Sequence, residues 1–170
     1  MRILVIEDNP KHLKDAKDFF AEKKDVEVIY RMSLSDEDKN DGWGSVSHML
    51  GVTRYLISGV ISDIYFPYYI SAKIKGDSFR KGRVIEAQWR EEYPLGLVVH
   101  KLCGDEIPCV LNTAGYHHGP KLQWIQDMGI DMVDAGDQYF VDSDKKDWAR
   151  AFEELERAIE VAKHKNPIAE

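Results

Sequence analysis

Ile3-Leu4-Val5-Ile6-Glu7-Asp8-Asn9-Pro10 is a short run of strand-forming apolar residues that stops at two acids, with a proline two residues further on. A later stretch, Val60-Ile61-Ser62-Asp63-Ile64-Tyr65-Phe66-Pro67, has the same form with a single acid. Uninterrupted apolar runs of this length suit strands buried on both faces, the signature of a parallel sheet. In open parallel sheets the ligand crevice lies beyond the carboxyl ends of the strands. Glu7, Asp8 and Asp63 are therefore expected at one site. Three carboxylates there suit a hard divalent cation that takes oxygen ligands and keeps some waters, which leaves room for a phosphoryl group.

Outward from these two runs, strand and helix patterns alternate. Pro10 to Lys23 predicts a helix, with Leu13, Ala16, Phe19 and Phe20 at helical spacing and Pro10 in the first turn. Val26–Tyr30 predicts a second strand, Ser45–Arg54 a helix, and Tyr55–Ser62 the third strand. Gly96–Leu102 reads as a short helix, Pro108–Asn112 as a fourth strand and Lys121–Met128 as another helix. The fifth strand falls at Asp131–Ala135 or at Tyr139–Val141. The last helix, Lys145–Lys163, places Trp148, Ala151, Phe152, Leu155, Ala158, Ile159 and Ala162 on one side, with Ser143 or Asp144 as its cap. Repeated βα alternation implies right-handed crossovers and a doubly wound α/β fold: a five-stranded parallel sheet with helices on both faces.

The bulk properties narrow the function. With 170 residues the chain is expected to form one domain, residues 1–165, with 166–170 as a tail. A formal charge of −7 argues against direct nucleic-acid binding. No apolar run approaches a membrane span, and the start has no signal-peptide layout, so a cytoplasmic protein is expected. Cys103 and Cys109 are then expected to be reduced structural thiols. His117-His118 has no further Cys or His at ligand spacing and reads as a solvated pair.

One stretch breaks the rhythm. Residues 68–94 separate the third strand from its helix as an inserted loop or subdomain, entered through Tyr65-Phe66-Pro67-Tyr68-Tyr69. Residues 71–90 hold six basic residues against two acidic ones, whereas the rest of the chain holds 17 basic against 28 acidic. A loop this long in a compact domain is usually functional or disordered.

Taken in order, Ile3–Asn9, Gly59–Pro67, Pro94–Leu102, Ile107–Ala114 and Asp127–Ala135 resemble a response-regulator receiver domain. Asp63-x-x-x-Pro67 is similar to that family's phosphoacceptor loop, and Asn112-Thr113-Ala114 to its Thr/Ser-Ala switch. The resemblance implies strand order 2-1-3-4-5 and a phosphoacceptor on Asp63. It implies Mg²⁺ held by Asp8, Asp63 and the Tyr65 backbone carbonyl, with Glu7 acting through water. Thr113 and Ala114 would contact the phosphoryl group and transmit the change. The partners implied are a sensor histidine kinase or phosphotransfer protein and a downstream protein, with a homodimer also in view. The chain would be no enzyme beyond its own phosphorylation and dephosphorylation.

The chain departs from the family at the lysine that usually ends the fifth strand. One alignment puts Gly136 and Asp137 at the lysine-proline positions, the other Asp142 and Ser143, and the aromatic switch position becomes Val133 or Tyr139. Candidate replacement cations are Lys73, Lys75, Arg80 and Lys81 in the insert, and Lys145 at the start of the last helix, where Lys146 also follows. The alternative is a phosphorylation-independent receiver-like interaction module. An aspartate-based phosphohydrolase is disfavoured, because the position two residues after Asp63, where that chemistry wants a second acid, is Tyr65.

Overall fold

A computed structural model of the chain describes residues 1–34, 42–64, 66–67, 92–114, 127–134 and 145–165. Five strands form one parallel sheet: β1 (Arg2–Ile6), β2 (Glu27–Arg31), β3 (Gly59–Ser62), β6 (Cys109–Thr113) and β7 (Met132–Asp134), in the order β2-β1-β3-β6-β7. Counting only these five, the order is 2-1-3-4-5, as expected. The fifth strand lies within the first of the two candidate segments; Tyr139–Val141 lies outside the described residues.

The apolar runs are buried on both sides because helices cover both faces. Ile3, Val5, Ile61, Val110 and Val133 pack with α1 (Pro10–Ala21) and α4 (Trp148–Lys165) through Ala16, Phe20, Trp148, Phe152, Leu155 and Ile159. Leu4, Ile6, Val60 and Leu111 face the other way, onto α2 (Val46–Gly51) and α3 (Leu95–Cys103). Asn9 caps α1, its side chain accepting a hydrogen bond from the Lys11 amide, and Pro10 occupies the first turn, where its missing N–H costs nothing. Ser45 caps α2 through the His48 amide. Cys103 and Cys109 are buried free thiols, in line with the structural role expected of them.

Two boundaries near the site differ from the sequence reading. β3 begins at Gly59 rather than Tyr55, because Arg54–Leu56 closes into a 3-10 turn that leaves Tyr55 79% exposed. The last helix begins at Trp148, capped by Asp147, whose carboxylate accepts from the Arg150 amide; Ser143 and Asp144 lie outside the described residues. Lys145 and Lys146 therefore precede the helix. The helix expected over Lys121–Met128 falls almost wholly outside the described residues.

The insert is tied at its base. β4 (Phe66–Pro67) pairs antiparallel with β5 (Glu92–Tyr93), so the chain leaves and returns at one point, and residues 68–91 lie outside the description. α3 then starts directly against the Asp63 loop, with the Gly96 amide donating to the Ile64 carbonyl at 2.9 Å. A Cβ at Gly96 would stand 2.3 Å from the Asp63 carbonyl oxygen, so only glycine permits this approach. At Gly59 the nearest obstacle is a Leu155 methyl at 2.8 Å, the movable end of a side chain.

This contrast ranks two substitutions. Gly59→Ala should cost about 1–3 kcal/mol of unfolding free energy, the usual range for overpacking, and Gly96→Ala should cost more because backbone has to move. Urea denaturation of both variants checks the order; equal costs would mean that α3 is not held against the Asp63 loop.

Candidate metal and phosphoacceptor site

Parallel register assembles the acids. Ile6 pairs with Ser62, so the next residues on each strand, Glu7 and Asp63, emerge side by side. Ligand oxygens of Glu7, Asp8 and Asp63 lie within 4.8 Å of one another, as a single cation requires. Two backbone bonds hold the strand ends: the Glu7 amide donates to the Arg31 carbonyl at 2.9 Å, and the Asp63 amide to the Ile6 carbonyl at 2.8 Å. The Arg31 side chain, itself buried, donates to the Gly44 carbonyl and thereby anchors the loop leading into α2.

Among the described residues one cation enters this acidic pair. The Lys146 ammonium lies 2.5 Å from Glu7 Oε2 and 2.9 Å from Asp63 Oδ1, and both the Lys146 and Glu7 side chains are almost wholly enclosed. Sequence reading points to Lys145 at this position rather than to Lys146. Its neighbour Lys145 is exposed, and Lys73, Lys75, Arg80 and Lys81 lie outside the described residues. The difference comes from the late start of α4. Residues 145–148 alternate exposed, buried, exposed, buried, which turns Lys146 inward beside Trp148 while Asp147 caps the helix from outside. That alternation depends on where the helix begins, and the charge run Asp142–Lys146 hides the boundary.

The remaining candidates are placed as follows. Asp8 is partly exposed at the mouth of the site, whereas Glu7 is fully buried and accepts from the Asn9 amide at 3.0 Å. Asp63 Oδ1 also accepts from the Ile64 amide at 2.7 Å. Thr113 is buried at the end of β6, with Ala114 half-buried after it. Val133 sits in the core, and Tyr65 and His117-His118 lie outside the described residues.

Burial, reinforced by the Asp63 charge and opposed by Lys146, pushes the Glu7 carboxyl up to about 7. Burial also works against the Lys146 ammonium, but the carboxylates of Asp63 and Glu7 outweigh it and hold that group above its ordinary value. Lys146 is thus charged at neutral pH, while Glu7 titrates there. An all-oxygen donor set of three clustered acids, one of them reluctant to ionise, fits a hard divalent cation.

The sign of the pH response follows. Glu7 binds its proton more tightly folded than unfolded, so its contribution is complete below about pH 4.5 and lost as pH rises through about 7. On the order of 3 kcal/mol should disappear from the metal-free protein across that window, and Glu7→Gln should flatten this component. Lys146→Met leaves the acids without their counter-ion and should cost about 3–5 kcal/mol at pH 8, and less at pH 5.5, where Glu7 can take up a proton. Chemical denaturation at the two pH values checks both; a pH-independent loss in Lys146→Met would contradict a titrating Glu7.

No protein-family model matches the chain, and no curated protein matches it either.

Proposed function

We propose that this chain is a phosphoacceptor signalling domain of the receiver type, accepting a phosphoryl group on Asp63 in the presence of Mg²⁺. The observation that carries the reading is the Lys146 ammonium 2.9 Å from Asp63 Oδ1, supplied from the chain segment between β7 and α4. The receiver pattern calls for a lysine from that side of the sheet, and the residues directly after β7 do not provide one.

In the proposed reaction a carboxylate oxygen of Asp63 attacks phosphorus of a phosphohistidine or a small acyl phosphate. The new P–O bond forms as the P–N or P–O bond of the donor breaks, and the leaving imidazole or carboxylate keeps the electron pair. Glu7, Asp8 and Asp63 would hold Mg²⁺, which supplies charge neutralisation on the transferring oxygens. Lys146 offsets the charge left at Asp63, and the Thr113 hydroxyl at the end of β6 donates to a phosphoryl oxygen. The partners proposed are a sensor histidine kinase or phosphotransfer protein upstream and a protein partner downstream, with no catalysis beyond the domain's own phosphorylation and dephosphorylation. Among the described residues no helix is long and apolar enough to cross a membrane.

A second reading has one observation in its favour. Lys146 already pairs with two of the three acids, so the site is partly charge-balanced without a cation, as a phosphorylation-independent interaction module would need.

Intact-protein mass after incubation with Mg²⁺ and acetyl phosphate separates the two. The wild type should gain one phosphoryl group and Asp63→Asn none, and Lys146→Met should react about 10²-fold more slowly, in line with the loss of one transition-state charge partner. A wild type that neither gains mass nor melts higher with Mg²⁺ would leave the interaction module as the function.

A further inference from the structure

Asn112, the penultimate residue of β6, is fully buried, and neither Oδ1 nor Nδ2 has a hydrogen-bond partner among the described residues. Native interiors rarely leave both ends of an amide unpaired, because each orphaned group keeps its desolvation penalty. Register explains where the side chain lies. Ile61 pairs with Val110 and Ser62 with Leu111, which brings Asn112 level with Asp63 on the adjacent strand. It shares the face of Val110 and of Val133, its partner on β7, both of which pack under α1 and α4. Glu7, Asp63 and Asn112 therefore form one row across β1, β3 and β6, on the side from which Lys146 enters.

The unmet valences in this row complement one another. An ammonium has three donors. Glu7 and Asp63 occupy two of those of Lys146. Asn112 offers an acceptor for the third and a donor for an oxygen of Asp63 or of the group it carries.

We propose that Asn112 is a positioning residue of the acceptor site, its Oδ1 accepting from the Lys146 ammonium and its Nδ2 donating to the Asp63 carboxylate or its phosphoryl group in the loaded site. The proposal rests on the phosphoacceptor reading. The amide is kept buried and without a partner among the described residues because the loaded site uses it, a cost in stability retained at a functional position. Trp148 Nε1, also buried without a partner among the described residues, is the competing hydrogen-bond donor and would give Asn112 a purely structural role.

Asn112→Leu keeps the branched heavy-atom skeleton, somewhat bulkier, and removes both polar atoms, and Asn112→Ser keeps a small donor and acceptor. For each, the melting temperature is measured with and without Mg²⁺, together with the rate of phosphoryl incorporation from acetyl phosphate. The proposal expects Asn112→Leu to melt about 2–4 °C higher without metal, since an unsatisfied amide has gone. Its Mg²⁺-induced shift should shrink and its phosphorylation slow by about tenfold, with Asn112→Ser recovering part of the rate. Should Asn112→Leu fail to fold, the Ser variant carries the test through a rate between about threefold and tenfold below wild type. Unchanged Mg²⁺ response and rate, whatever happens to the melting temperature, would overturn the proposal in favour of a structural amide. If the wild type shows neither response, the phosphoacceptor reading fails and takes this inference with it; if only the variants match a responsive wild type, this inference alone fails.

Discussion

The contact between the Lys146 ammonium and the carboxylates of Glu7 and Asp63 is the interaction on which the site and its surroundings depend. Parallel pairing leaves no freedom at this point: once Ile6 lies beside Ser62, an acid on each strand must emerge next to the other. Burial makes the Glu7 carboxyl reluctant to ionise, and the neighbouring Asp63 charge adds to it. A counter-ion is needed, and a buried one stabilises only if its hydrogen bonds are well made. Lys146 meets that condition at two of its three donors.

The same residue links electrostatics to packing. Lys146 stands two positions before Trp148, which opens α4 and packs near Phe20 at a ring-centroid distance of 6.5 Å. About two turns further on, Leu155 fills the space above Gly59 at the start of β3. The first turn of α4 is therefore fixed from two directions, by the apolar layer beneath it and by the ion pair at its entrance.

The basic insert leaves and rejoins the described residues at one point. It departs after Ile64 and returns through the β4–β5 pair, and the Gly96 amide closes onto the Ile64 carbonyl as soon as the chain is back. The Asp63 loop is thus held from both ends by short-range backbone bonds. Strand order and the placement of α3 follow from β3 and the residues after Tyr93 alone.

How much of this was legible in the sequence follows from the range of each signal. The strand runs, the acids and the α4 core face come from period and pattern within single segments, and Trp148, Ala151, Phe152, Leu155 and Ile159 pack as their spacing requires. The strand order is implied only by the family resemblance of the segments taken together. Tyr55 was read into β3 because an aromatic next to an apolar run has the composition of a strand, although a 3-10 turn leaves it in solvent. Lys146 meets Glu7 across 139 residues, and no local pattern encodes that pairing. A lysine before a helix ordinarily reads as solvated, and only the alternation from Lys145 to Trp148, together with a cap at Asp147, turns this one inward. Asn112 was hidden for a related reason. At the end of a strand a polar residue reads as the approach to a loop, and its burial becomes apparent only once β7 is placed on its far side. Local periodicity is set by the backbone and can be read one segment at a time, whereas the partner of a buried charge is chosen by the whole fold.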